Sequence, residues 1–477
     1  MSALNQHYAI IGGGITGLAA ALQLERQLPS ARITLIEASD RLGGVLRTEQ
    51  TQGYLIEQSA DMFSSESGVM LDLCRDMGVE QDLIQTQSAG RRAFVARGDR
   101  LHPVPAGFSM MLPNRIDSIV ESEILDQDGR IRMLAERWVP PRNEDTDESF
   151  QSFAVRRFGQ QAFDRLIQPL ISGIYSADPE QLSMRAALSR FVDMEREHGS
   201  LMQAARSAQS ASSSEESSSG ARYGMFLAMK DGMQSLIDCM ADQMQRTEVV
   251  LNCAATGLHR NESGGWCIQS STSSPEVLEH YDGVVLTTRA DVAGKLLQEV
   301  DRNLSCQLAQ IEYASMAIVV LGVDSRQIPR APHCFGFVVP EIENRNLVAC
   351  SFASHKFSGR APDGKVLVRC FIGGSLHGDR VAFEDRQLIA MARKDLADLI
   401  GLEGDPEYQQ VVRWQNCMPQ YVVGHLERVA EVERGLAAHS SIELAGNSYH
   451  GVGIPVCVAS GQRAAVRLVG RADSTNE

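Results

Sequence analysis

No stretch of the 477 residues approaches the ~20 consecutive apolar positions that a membrane-spanning helix needs, so the chain is not expected to cross a bilayer. The opening Met1-Ser2-Ala3-Leu4-Asn5-Gln6-His7 has no basic stretch ahead of an apolar one, which argues against a secretory leader. Ten cysteines are present but no Cys-x-x-Cys pair, and this removes the zinc-ribbon and thioredoxin-type signals. Most of them lie in apolar stretches such as Val368-Arg369-Cys370-Phe371-Ile372, where a thiol behaves as a small hydrophobe. That usage points to a reducing compartment, the cytoplasm. Positive charge is in deficit: 45 Lys and Arg stand against 60 Asp and Glu, a net −15. Nucleic-acid binding rests on cations neutralising phosphate, so no nucleic-acid partner is expected. No Ser-His-Asp or paired-carboxylate arrangement stands out either, and no metal site is indicated.

What is there is an ordinary globular composition, 43% hydrophobic and 22% charged. A chain of this length exceeds one hydrophobic core and predicts about three units. Residues 8–11 read as a buried strand, 15–27 as a helix and 32–37 as a second strand. This opening is the start of a doubly wound parallel sheet. From about 65 to 175 the texture is helical and loop-rich. The Ser-rich stretch 205–220 reads as a flexible surface loop. A helix is expected over 231–246, then strands at 249–251, 266–268 and 283–287. Short strands dominate 312–375, and a helix follows from about 383 to 400. A helical middle between strand-rich flanks argues for a first domain that is discontinuous and completed late.

Gly12-Gly13-Gly14-Ile15-Thr16-Gly17 fits Gly-x-Gly-x-x-Gly between that strand and that helix. Gly12 allows the tight turn, Gly14 lets backbone approach a pyrophosphate, and Gly17 lets helix and strand pack closely. A diphosphate would lie on the free N–H groups of the helix start. Glu37, with Ala38 behind it, ends the second strand, placed to accept from ribose hydroxyls and to repel a 2′-phosphate. The continuation Arg41-Leu42-Gly43-Gly44-Val45-Leu46-Arg47 selects FAD over NAD. Its glycines let backbone close over the cofactor, and Arg41 and Arg47 can reach phosphate oxygens.

Glu37-x-x-x-Arg41-x-Gly43-Gly44 resembles the flavin-containing amine oxidase and phytoene desaturase superfamily. Leu444 to Pro455, followed by Ser460-Gly461-Gln462-Arg463, is similar to its closing flavin segment. Three middle stretches narrow the resemblance to the porphyrinogen oxidases. They are Gln168 to Ser183, Leu101-His102-Pro103-Val104-Pro105, and Asn416-Cys417-Met418-Pro419-Gln420-Tyr421-Val422-Val423-Gly424-His425. The matches run from residue 8 to about 465.

The resemblance implies an α/β fold: a discontinuous Rossmann-like FAD domain (1–88, 222–300, 436–477), a helical insertion (89–221) and a mixed-sheet substrate domain (301–435). It implies a six-electron oxidation of a porphyrinogen in three two-electron rounds, with dioxygen as acceptor and hydrogen peroxide released. Val45, Ser59, Ala255, Trp414, Gly446, Val452, Gly453 and Ile454 match flavin contacts. Gly173 would face the substrate, with Phe335, Val338 and Phe371 as apolar walls. A family arginine that holds a propionate is replaced by Ala93, with Arg91 and Arg92 just upstream. This leaves coproporphyrinogen III and protoporphyrinogen IX both open, with Leu101–Pro105 and Gly451–Pro455 closer to the bacterial coproporphyrinogen type. A homodimer, peripheral membrane contact and transfer to a ferrochelatase are further implications. The rival readings are an amine oxidase or carotenoid-type desaturase, and a flavin-bearing sensor without turnover. Glu195-x-x-His198 reads as a solvated helix face, and His450 as a hydrogen-bonded wall residue. The cluster Phe108, Met110, Met111 and Leu112 fits either a membrane contact or a substrate mouth.

Overall fold

A computed structural model of the chain describes residues 6–211, 225–262, 264–271 and 280–474, without the side chains of 208–211 and 471–474. The buried run His7–Ile11 is the central strand of a five-stranded parallel sheet. Arg32–Ile36 pairs on one side of it and Gly283–Leu286 on the other. Thr247–Val250 extends the sheet beyond Arg32–Ile36, and Ile442–Leu444 closes the far edge. Strands buried on both faces must be apolar throughout, which is why they read as continuous hydrophobic runs rather than alternating ones. The chain winds to one side of His7–Ile11 and returns on the other. The carboxyl end of that strand is therefore the switch point where such sheets bind ligands.

The helix Ile15–Gln27 follows at once, and the last helix, Ile454–Ser474, crosses it. Gly461 makes that crossing possible, since a Cβ there would collide with the Thr16 carbonyl oxygen. The two ends of the chain thus build one unit around a shared core that includes Leu18, Ala19, Ala464 and Leu468.

A second, seven-stranded mixed sheet runs Tyr408–Pro419, Tyr313–Asp324, Lys365–Gly373, Ala349–Phe352, Gly336–Val338, Ala93–Arg97 and Arg100–Pro103. Lys365–Gly373 shows how it is laid down. Val366, Val368, Cys370 and Ile372 point into the core under the helix Asp385–Ile400, while Arg369 and Phe371 lie on the opposite face. Residues 93–103 differ from the helical-insertion expectation. Ala93–Arg97 pairs in parallel with Gly336–Val338, with Val95 buried in the core of the helical layer on one face and Ala96 in the core of the mixed sheet on the other. Five residues are too few for periodicity to reveal a strand.

The helical layer, Phe150–Phe158 through Met184–His198, has its own core of Phe150, Phe153, Phe158, Phe163 and Phe191. The Ser-rich stretch is corrected at its start: Leu201–Ala211 is a helix, with Ala205 buried, and 212–220 lies outside the described residues. Glu195 is likewise not solvated. It joins Arg156 at 2.6 Å and Arg157 at 3.1 Å in a network with buried Glu136. Among the described residues no helix is long and apolar enough to cross a membrane.

Candidate functional site

The loop after the first strand is shaped by what its glycines allow. Gly12 has φ +112°, and a Cβ there would lie 2.6 Å from Thr287 Oγ1. A Cβ at Gly17 would strike the Gly12 carbonyl oxygen, so both positions are closed by the protein itself. Gly14 is different: a Cβ there would meet nothing nearer than the Gly44 Cα, at 4.0 Å. Gly14 caps the helix Ile15–Gln27 with no side-chain hydrogen bond. Gly44 crosses opposite with φ +59°, and the Gly43 N–H donates to the Gly13 carbonyl at 2.8 Å. Two glycine backbones thus meet at a helix N-terminus, with the Cβ side of Gly14 left open.

Glu37 closes the other side. Its Oε2 accepts the Gly13 N–H at 2.6 Å, and its Oε1 accepts the Ser39 N–H at 2.8 Å. The segment ahead of Ala255 flanks it, since Cys253 N–H donates to the Glu37 carbonyl at 2.9 Å. Arg41 departs from its expected reach toward phosphate. Its guanidinium donates to the carbonyls of Leu42, Gly44 and Leu46 and so staples the second glycine loop shut. Val45 and Arg47 stand exposed beside it.

The remaining cofactor candidates gather on two other segments. Ser59 follows Gln58, whose carbonyl accepts the Trp414 Nε1–H at 2.6 Å. The Ser59 Oγ is buried and has no hydrogen-bond partner among the described residues. Gly446, with φ +126°, donates its N–H to Ser460 Oγ at 3.1 Å and opens the turn that leads to Val452, Gly453 and Ile454. That turn is held by Tyr421, whose hydroxyl donates to the Asn447 carbonyl at 2.5 Å and accepts the Gly451 N–H at 2.7 Å. His425 stacks on Tyr421 at 4.2 Å between centroids and donates from Nε2 to the Tyr449 carbonyl at 3.0 Å. Burial lowers the His425 pKa and raises that of Tyr421. His450, expected in the wall, is exposed and pairs with Glu433 at 2.9 Å. The histidine packed behind the turn is His425, which motif spacing did not single out.

A cavity of about 960 Å³ opens between the helical layer and the mixed sheet. Gly173, Phe335, Val338 and Phe371 all line it, although they are scattered over some two hundred positions. Gly173 lies in the last turn of the helix Gln168–Tyr175, facing Val338 across the space. Phe371 pairs in register with Ala349, and Phe335 donates its N–H to the Arg92 carbonyl at 3.0 Å. Phe108 and Met110 also line the cavity, and Phe108, Met111 and Leu112 are buried, so this cluster forms part of the cavity wall and its supporting core. The volume is at the upper end for small-molecule sites.

Sequence reasoning missed the charged group beneath this cavity. Lys356 donates to Asp61 Oδ2 at 2.7 Å, and Arg369 NH1 lies 3.2 Å from the same oxygen. Burial would raise the Asp61 carboxyl, but the two cations outweigh it and hold it below the usual range. The three residues come from segments about three hundred positions apart, so no local motif could signal them.

The frame fits an extended dinucleotide. It offers free N–H groups at a helix start, an acidic strand end, a Cβ-free gap at Gly14 and an orphaned hydroxyl at Ser59. The family model described as flavin containing amine oxidoreductase matches residues 15–469. A coproporphyrinogen III oxidase of Bacillus subtilis (strain 168) is 31% identical over 469 residues, covering 97% of this chain and 98% of the relative. The chloroplastic protoporphyrinogen oxidase 1 of Arabidopsis thaliana is 28% identical, covering 96% and 87%. A crystal structure from Exiguobacterium sp. 255-15, provisionally assigned as a protoporphyrinogen oxidase, superposes with a TM-score of 0.86. It is 29% identical, with 98% of this chain and 99% of that one covered.

Proposed function

The chain belongs to the family of flavin containing amine oxidoreductases, and on that membership we propose that it oxidises a porphyrinogen to the porphyrin in haem biosynthesis, with dioxygen as the acceptor and hydrogen peroxide released. It is an FAD-dependent oxidoreductase. The observation that carries the substrate reading is the single cavity shared by Gly173, Phe335, Val338 and Phe371. Its volume suits a ring of four pyrroles far better than a small amine.

FAD, when bound, supplies the two-electron acceptor for each of the three rounds. The chain's own residues supply position and a dry wall. Gly12, Gly14, Gly17 and Glu37 hold the dinucleotide end, with Gly13, Ile15, Thr16 and Ala38 as their backbone frame. Arg41 fixes the Gly43-Gly44 loop that covers it. Ser59, Trp414 and the turn from Gly446 to Ile454 would hold the flavin end of the cofactor, and Val45 and Ala255 would contact the rest of it. Phe335, Val338 and Phe371 exclude water from the tetrapyrrole, and Gly173 leaves room for its plane. Coproporphyrinogen III is the substrate proposed over protoporphyrinogen IX, since the relatives named for it are 29–31% identical over nearly the whole chain. The proposal extends to a cytoplasmic homodimer with peripheral membrane contact and to handover of the porphyrin to a ferrochelatase.

The test is growth of porphyrin fluorescence under air with purified yellow protein, coproporphyrinogen III and protoporphyrinogen IX being supplied separately beside no-enzyme controls. A rate well above control is expected, higher with coproporphyrinogen III. No excess over control with either, despite bound flavin, refutes the porphyrinogen reading and brings amines forward as substrates.

A further inference from the structure

One wall of the cavity carries charge and hydrogen-bonding capacity that the protein itself leaves unused. Lys356 lines the cavity with its side chain 8% exposed. Its ammonium has three donors, yet its one hydrogen-bond acceptor among the described residues is Asp61; the Phe357 ring lies 5.9 Å off. Asp61 also takes Arg369, which is 2% exposed and donates in addition to the Ser59 carbonyl. The Arg369 Nε is buried and finds no acceptor among the described residues. Ser351 stands opposite Arg369 in the strand register, so the two side chains share a face, and Ser351 lines the cavity. Its Oγ too is buried without a hydrogen-bond partner among the described residues.

The charge count points the same way. The buried cations Lys356 and Arg369 share one buried carboxylate, Asp61, while Arg360 stands among Glu57, Asp61 and Asp231. Arg360 is directed away, onto the carbonyls of Met229 and Lys230, and Glu57 onto Thr48 and the Met233 N–H. The excess therefore lies at Lys356 and Arg369. An unmatched buried cation is costly unless an anion joins it. Lys356 lines the cavity, so such a group can reach it from there.

We propose that Lys356 and Ser351, backed by Arg369 and Asp61, form an anion subsite in the cavity wall that takes one carboxylate of the substrate. The inference rests on the porphyrinogen reading and deepens it. With Ala93 in the cavity wall where an arginine was expected, the subsite supplies a carboxylate anchor at a different place in the same cavity. It also gives a carboxylate-rich tetrapyrrole an advantage over one whose acids all lie at the opposite edge.

The experiment is a titration of the flavin-loaded protein with coproporphyrin III and with its tetramethyl ester, followed by the shift of the porphyrin absorption band. Lys356→Met is expected to weaken coproporphyrin III about tenfold or more, the range for a charge-assisted hydrogen bond, and to leave the ester unchanged. Ser351→Ala should weaken the acid several-fold. Asp61→Asn, which raises the local charge, should bind the acid as tightly as the parent or tighter. A merely structural role would move Lys356→Met and Asp61→Asn in the same direction for both ligands. That outcome, or unchanged acid binding by Lys356→Met and Ser351→Ala with flavin retained, overturns the proposal. If Lys356→Met does not fold, Ser351→Ala and the screening of acid binding, but not ester binding, by salt decide it. Failure of the parent protein to bind either porphyrin would instead remove the porphyrinogen reading together with the subsite.

Discussion

Gly173→Ala separates what the fold needs from what the cavity needs. Gly173 lies in the helix Gln168–Tyr175 with an ordinary helical backbone, so glycine is not required there for its conformation. A Cβ would meet only Val338 Cγ1, at 3.6 Å, an ordinary van der Waals contact. Replacing a helical glycine by alanine is worth about 0.5–1 kcal/mol through lost unfolded-state freedom. Unfolding entropy of ~2.1 cal/mol/K per residue, taken over 477 residues, converts this to a melting rise of roughly 0.5–1 °C. The variant is therefore expected to be as stable as the parent or slightly more so. Its methyl group, however, enters the cavity opposite Val338, and a ligand carbon must stay ~3.5–4.0 Å from it. A displacement of about 1 Å at a reacting centre can cost ~100-fold in rate. Steady-state oxidation should fall at least tenfold while the flavin spectrum and melting point hold. Parent-like turnover would refute the placement of the ring against Gly173. A clear loss of stability would show that the empty space is part of the protein's own packing.

The two glycines of the first loop should fail differently. Gly14→Ala is expected to keep the fold but lose FAD, because its methyl meets no protein atom within 4 Å apart from the Gly44 Cα. Gly17→Ala is expected to lose soluble protein, because its Cβ meets the Gly12 carbonyl. Flavin-to-protein absorbance ratios and circular dichroism check both, and full FAD in Gly14→Ala would refute the cradle. Stability should also depend on pH below neutrality. Burial lowers the pKa of His425, and burial together with the neighbouring His333 lowers that of His355. Between those folded values and ~6.5 the unfolded chain binds protons that the folded chain does not. Stability is thus fully present above ~6.5 and declines on acidification through that window. Melting points from pH 7.5 to 5 should fall, and His425→Gln should flatten the slope. An unchanged slope would mean that His425 is no better shielded folded than unfolded.

The dinucleotide frame was legible because its determinants are local. A buried strand, a glycine turn and a helix start follow within some twenty residues, and each residue type acts on its own backbone. Gly461, by contrast, is an unremarkable helical glycine in sequence. Its need appears only where the last helix crosses Thr16. Arg41 shows the limit of reading charge from spacing, since carbonyls of its own loop captured the guanidinium expected on phosphate. Glu195 departs from expectation for a related reason: Asp193, Arg196 and Glu197 of its helix face water, but Glu195 lies on the buried face with Leu188 and Phe191, where Arg156 and Arg157 pair with it.

By itself the sequence determined the strand–turn–helix opening, the acidic strand end and the closing segment, because backbone sterics and short-range periodicity act over a few residues. Only the tertiary structure decided that Ala93–Arg97 joins a sheet, that His425 and not His450 stands behind the turn, and that Asp61, Lys356, Arg369 and Ser351 meet at one wall. Those outcomes depend on contacts hundreds of positions apart, where burial and charge pairing are settled by which surfaces the whole chain brings together.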